Sequence, residues 1–391
     1  MKRIAALESL RGLMALWVLV GHIVKGAGYT AADLGTFKAL AEPGHAVDVF
    51  IILSGFVIFY LLDGQRPSYG EFIRRRLFRL APVYLFVVLV SALAMSWQVG
   101  PAAWLAEQNA GYAPMLQNIR DTLEHFWLHL VLHVPMLHGL ADPRLLPNSD
   151  YAFVGQGWSI SVEWQFYLVA PLLFWMAVAR RWYALIAALG TICLLRFTNY
   201  GGEGFAIRQG GYFLAGILTF YGYRHLQYVD IAPRLIDATA VLAITAIYLM
   251  VARSLGLIVW AAMVALILAD RRPAQTAVQR IGLAIMYNSA LLWLGKVSYS
   301  VYLTHGLISF LALYWLYEPF AVRGKLALAL ATGLATIVAT LTLSAVTYRC
   351  IEAPAMDFGR RGFFRSGTAA ARKAAARGMS PIQFPVKRDS T

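Results

Sequence analysis

Charged residues are scarce in this chain. Asp, Glu, Lys and Arg make up 14% of its 391 residues, and 59% are hydrophobic. A soluble domain holds about 25% charged residues, so the deficit excludes an ordinary soluble class and points to a polytopic membrane protein. Cysteine is nearly absent. Cys193 and Cys350 fall inside or at the edge of apolar runs, leaving no disulfide framework and no cysteine-based metal centre. No internal repeat is visible, which weakens a transporter built from two related halves. Acidic residues are outnumbered 20 to 34, for a net charge of +14. That excess does not suggest nucleic acid, because the basic residues sit at the ends of apolar runs and in a C-terminal tail. Met1-Lys2-Arg3 before an apolar run has the outline of a signal peptide. An embedded Arg11 and His22, without a small-residue cleavage pattern, favour a retained helix.

What is present is a series of long apolar segments. The pattern predicts an all-α fold with about ten transmembrane helices, near 7–25, 46–62, 82–98, 158–178, 182–198, 206–222, 235–252, 254–270, 288–316 and 326–349. With that count, the basic clusters all fall on one side, which the positive-inside rule makes cytoplasmic. Both termini are then inside, as expected of a multi-pass protein of a bacterial inner membrane. Residues 1–356 form the membrane domain, and 357–391 a basic, Ala/Gly-rich tail expected to be disordered and drawn to anionic lipid. The longest outer loop, about 99–157, carries His125, His129 and His133 at four-residue spacing, then His138. Three histidines on one face could ligate a metal. Only Glu124 and Asp121 stand near as a fourth ligand, so no metal is expected and an interfacial or re-entrant helix is the better reading.

Several spans carry ionisable side chains, which are costly in hydrocarbon and mark functional sites by default. The first holds Glu8, Arg11 and His22. Arg11 and His22 are about 16 Å apart along a helix axis, so they belong to opposite halves of the membrane. A snorkelling arginine and a hydrogen-bonded packing histidine is the bland alternative. The second span opens with Asp48, with Ser54 deeper; beside a buried His22, Asp48 could orient the imidazole. Arg74, Arg75, Arg76 and Arg79 crowd the next cytoplasmic segment. A positive-inside anchor needs less charge than that, and the planar guanidinium fork suits phosphate. Glu163 lies just inside the fourth span. Ser298, Tyr302 and His305 form a stripe on the ninth, with a polar core cluster as its bland reading. Depth brings His22, Asp48, Glu163 and His305 to the middle or outer half, with arginines at the cytoplasmic mouth. A donor entering from inside would meet an acceptor from outside at the histidine, the geometry of a transmembrane group transfer.

These residues stand in segments that resemble the membrane-bound acyltransferase 3 family, which includes bacterial O-antigen and exopolysaccharide O-acetyltransferases. The segments are Leu7-Glu8-Ser9-Leu10-Arg11-Gly12 with His22, Val47-Asp48-Val49-Phe50 through Ser54-Gly55-Phe56, and Arg76-x-x-Arg79. Trp158 through Tyr167, Leu294 through His305, and Ile351-Glu352-x-Pro354 complete the set, in order, from residue 7 to about 355. The resemblance implies an acyl-CoA donor, usually acetyl-CoA, and an acceptor hydroxyl on an extracytoplasmic polysaccharide or lipid-linked saccharide. Under it Arg75, Arg76, Arg79 and Ser54 would bind the donor, Arg76 and Arg79 at its phosphates. His22 would be general base or acyl relay, with Glu163 or Asp48 setting its protonation. Tyr302 and Ser298 would donate hydrogen bonds to the thioester or acceptor, His305 would stand in the same outer half, and Arg11 would line the pantetheine path or hold a carboxylate. Larger family members add an extracytoplasmic SGNH-type domain; no segment here is long enough for one, so transfer is expected to proceed without it or with a separate protein. A proton-coupled secondary transporter is the rival reading.

Overall fold

The structure, a computed structural model, describes residues 4–39, 41–198, 200–226, 254–270 and 276–361. The expected span at 235–252 lies outside the described residues, as does the tail beyond 361. The all-helical expectation holds: no strand occurs among the described residues.

The main helices are α1 (Ala6–Gly26), α2 (Gly44–Gln65), α3 (Tyr69–Gln108), α4 (Ala113–Glu124), α5 (Phe126–His133) and α6 (Trp158–Val178). They continue as α7 (Trp182–Phe197), α8 (Gly210–Leu226), α9 (Leu255–Ala269), α10 (Ala277–Met286), α11 (Ser289–Ala321) and α12 (Lys325–Thr347). A π-helical turn over Tyr348–Glu352 joins α12 to α13 (Ala353–Arg361). Among the described residues six helices are long and apolar enough to cross a membrane; they include α1, α2, α3, α6, α11 and α12. The expected spans at 182–198 and 254–270 appear as shorter apolar helices of 16 and 15 residues, less than the roughly 20 that a span perpendicular to the bilayer needs. The arginine segment and the expected span at 82–98 are one continuous helix of 40 residues, despite Pro82 and Pro101 inside it.

Helix ends are set by short polar side chains. Ser68 caps α3 by accepting the Glu71 N–H at 3.3 Å, and Asn288 caps α11 by accepting the Ala290 N–H at 2.9 Å. Hydrophobicity does not drive one helix against another in lipid, so close contact depends on small residues at the crossing. Where α1 crosses α11, a Cβ on Gly12 would stand 2.8 Å from the Gly295 backbone nitrogen, and one on Gly295 would stand 2.0 Å from the Glu8 carbonyl oxygen. The two helices meet backbone to backbone there, which fixes Arg11 and His22 relative to Ser298, Tyr302 and His305. The connection from α1 to α2 folds back as a strap, with a capping box at Thr30 and Asp33. Two ion pairs fasten it: Lys25–Glu42 at 2.8 Å and Lys325–Asp33 at 2.8 Å.

Candidate active site

Two cavities lie between these helices and share no lining residue. The smaller, of about 80 Å³, is lined by Arg11, Arg76, Arg79, Glu163, Ser54 and Tyr302, among others. Ser298 also borders it, with its hydroxyl donating to the Gly295 carbonyl at 2.9 Å. The helical spacing of Arg76 and Arg79 puts both on one face of α3, yet their surroundings differ. Arg79 is ion-paired with Glu352, which is 1% exposed. Its guanidinium lies 5.6 Å from the Tyr299 ring centre. The second Glu352 oxygen accepts the Ser300 hydroxyl at 2.7 Å. Arg76 has aromatic neighbours instead, with Phe72 and Tyr167 ring centres each 5.6 Å from its guanidinium carbon. Its Nε is buried and has no hydrogen-bond partner among the described residues. Glu163 accepts hydrogen bonds from the Tyr167 hydroxyl and, at 3.3 Å, from Ser54 Oγ. Three arginines against Glu163 and Glu352 leave positive charge in excess, a setting for an anionic ligand.

The larger cavity, of about 710 Å³, is lined by His22 and His305 with Gln98, Asn109, Asn118 and Gln156. Amide and hydroxyl groups dominate its polar lining, with Tyr29, Tyr112 and Tyr151 beside them and Lys25 at the strap. The His22 and His305 rings stand 5.2 Å apart. His305 is 1% exposed. Its Nδ1 lies 3.2 Å from the Val301 carbonyl oxygen and so carries the proton, leaving a buried Nε2 with no partner among the described residues. A neutral imidazole with a free Nε2 can accept a proton.

The expected constellation is therefore divided. Arg11, Ser54, Arg76, Arg79, Glu163, Ser298 and Tyr302 gather at the small cavity, and His22 and His305 at the large one. The expected pairing of His22 with Glu163 or Asp48 does not form. Glu163 is engaged by Tyr167 and Ser54, Asp48 accepts from Ser254 and lies 3.9 Å from His45, and the ring beside His22 is His305. Arg75 turns away from both cavities to Glu71 at 2.5 Å and Gln65 at 3.2 Å. Its position at i−4 from Arg79 shares a broad helix side but not the cavity face.

In the loop after α3, His129, His133 and His138 are all fully buried. His133 and His138 stack with centroids 4.0 Å apart and planes within 9°, and the Tyr84 hydroxyl lies 3.3 Å from His138 Nδ1. Burial pushes His129 and His133 down to about 4 and His138 well below its ordinary value. Among the described residues no three His, Cys, Asp or Glu side chains are placed to hold a metal ion. The structure also brings in two residues that spacing did not assign: Glu352, as the counter-charge of Arg79, and Gln156, at the wall between the cavities. Glu352 stood in a recognised segment without a role. Gln156 sits in a glycine-flanked turn, Gly155-Gln156-Gly157, which carries no chemical signature.

Comparison with known proteins places the whole membrane-spanning part of the chain in one family. Residues 4–349 match the acyltransferase 3 family, described as an acyltransferase domain. The chain is 27% identical over 206 residues to "Acyltransferase MdmB" of Streptomyces mycarofaciens, a match covering 49% of this chain and 46% of that protein. The chain thus spans about half the length of the curated relative it matches. No solved structure matches. Since the family match runs from before the first helix to just past the end of α12, the chain belongs to the acyltransferase 3 family.

Proposed function

We propose that this protein is a multi-pass membrane O-acyltransferase that takes an acetyl group from acetyl-CoA at its cytoplasmic face. The group passes to a hydroxyl of a polysaccharide or lipid-linked saccharide on the other side. The observation that carries the reading is the pair of cavities placed back to back, one lined by three arginines and the other by two histidines.

The buried, unpartnered Nε of Arg76 fits an anionic donor, because a stranded guanidinium donor is costly unless a ligand accepts from it. Arg76 and Arg79, nearer the cytoplasmic end of the small cavity, would hold a donor phosphate, and Arg11 would line the path of the pantetheine and its acyl end. Tyr302 and Ser298 would turn their hydroxyl protons from the Gln156 and Gly295 carbonyls to the thioester carbonyl. His305, with Nε2 free, or His22 beside it would take the acceptor's proton as the hydroxyl oxygen attacks. The thioester C–S bond breaks, and the departing CoA sulfur takes a proton. The large cavity's amides and tyrosines suit an acceptor rich in hydroxyls.

The test is acylated product from sealed vesicles with donor on one side and acceptor on the other. His22→Gln and His305→Gln each keep a hydrogen-bonding group but cannot titrate. At least one should lose nearly all transfer while donor binding stays. Full transfer by both would overturn the histidine assignment. Movement of a solute without consumption of acyl-CoA would favour the transporter instead.

A further inference from the structure

The transfer reading requires the two cavities to communicate, yet they share no lining residue. On α11, Tyr302 borders the small cavity, whereas Leu303, His305 and Gly306 border the large one. Gln156, in the turn that leads into α6, closes the space beside them. Its Nε2 donates to the carbonyl oxygens of Tyr302 at 3.0 Å and Leu303 at 2.8 Å. Its own carbonyl accepts from the Tyr302 hydroxyl at 3.2 Å and from Ser159 Oγ at 3.1 Å. The Ser159 and Tyr302 hydroxyls are 2.7 Å apart. Backbone and side chain of one residue thus fasten both elements of the wall.

The fit of this side chain is tight on one side. A Cβ on Gly306 would stand 2.7 Å from Gln156 Oε1, so the glycine makes the room that the amide fills. Opening this contact strands no acceptor. A carbonyl oxygen has two lone pairs, and those of Tyr302 and Leu303 lie within a helix that supplies its own donors. Gln156 can therefore swing into the large cavity, which it already lines, without stranding either carbonyl. Its amide would find water there or a hydroxyl of the acceptor.

We propose that Gln156 is the positioning residue that keeps the two cavities apart and opens the way for the acyl group when an acceptor's hydroxyls draw its amide aside. This rests on the transfer reading. It assigns Gln156 a second consequence: with the wall shut, water in the large cavity is kept from the thioester. Water reaching the carbonyl would form a C–O bond and break the C–S bond, giving a free carboxylic acid and the CoA thiol, with no acceptor modified.

The experiment uses the full chain in sealed vesicles, with Cys193→Ser and Cys350→Ser, and with Ser54→Cys as a reporter inside the small cavity. A charged, membrane-impermeant methanethiosulfonate is added on the side of the large cavity. Labelling should be slow with Gln156 intact and rise roughly tenfold in both Gln156→Ala and Gln156→Glu, the loss expected when the latch bonds are removed. Glu keeps the length but has no proton to donate to two carbonyls. Unchanged labelling in both variants, each monodisperse, would overturn the proposal. A rise in Gln156→Ala alone would overturn the hydrogen-bonded latch. With the reporter absent, Gln156→Ala should hydrolyse acetyl-CoA without acceptor faster than the unmodified chain. If the unmodified chain turns over no acyl-CoA at all, the transfer reading fails, while the labelling still decides whether Gln156 closes the wall.

Discussion

Arg76 and Arg79 are three residues apart, face one cavity and would be treated as a pair from sequence alone, but their removal should have different consequences. Arg76 has aromatic neighbours and a buried, unpartnered Nε. Arg76→Ala should weaken donor binding by about 1.5–3 kcal/mol, the loss of one charge-assisted contact, with little effect on thermal stability. Arg79→Ala strands Glu352, which is 1% exposed, and removing one partner of a buried pair costs about 3–5 kcal/mol. Its defect should be one of stability, recovered in part by adding Glu352→Gln. Affinities for CoA and its dephosphorylated analogue, beside unfolding midpoints, separate the two. Equal stability of Arg76→Ala and Arg79→Ala would contradict the asymmetry. The residues of this site were mostly legible, because an ionisable group within an apolar run stands out. Their partners were not. Glu352 lies 273 residues from Arg79, and no local spacing connects them. The pairing of His22 with a carboxylate failed for a related reason: depth along a helix was readable, but the direction in which each side chain faces was not.

At the scale of elements, hydropathy located the long helices well, since runs such as 158–178 must be helical if they enter hydrocarbon. It could not say where a helix continues beyond the apolar run. α3 extends the run at 82–98 in both directions, and α12 passes through a π-helical turn into α13. The loop after α3 was read as carrying an interfacial or re-entrant helix, and its spacing did not reveal that His129, His133 and His138 are buried. These imidazoles are held neutral when folded and have their ordinary values when unfolded. A depressed folded value means stability is fully present above about pH 6.5 and is lost as pH falls toward about 4 for His129 and His133. The unfolding midpoint should therefore drop between pH 7 and pH 5. His133→Phe keeps a flat ring against His138 but cannot titrate, so it should blunt that drop. An unchanged drop in His133→Phe would mean that other groups set the acid limit.

At the scale of the molecule, the two cavities were beyond sequence reasoning. Their walls draw on residues as distant as Arg11, Glu163 and Tyr302 or His22, Asn118 and His305, and only packing decides which of these meet. The transfer geometry inferred from depth had a single histidine reached from both sides; the folded chain divides it into two chambers with Gln156 between them. The strap between α1 and α2 has one more consequence. Its residues Gly28, Tyr29 and Thr30 line the large cavity, while its two fastenings, Lys25–Glu42 and Lys325–Asp33, are partly open to solvent. Exposed charges lose their mutual attraction as the Debye length shrinks from about 10 Å at 0.1 M salt to about 3 Å at 1 M. Ionic strength should accordingly act as a valve on the large chamber alone. Amide hydrogen exchange across residues 28–39 should quicken as salt is raised and become indifferent to salt in the Lys25→Gln, Lys325→Gln double variant. The buried Arg79–Glu352 pair, out of reach of mobile ions, should hold the other chamber unchanged throughout.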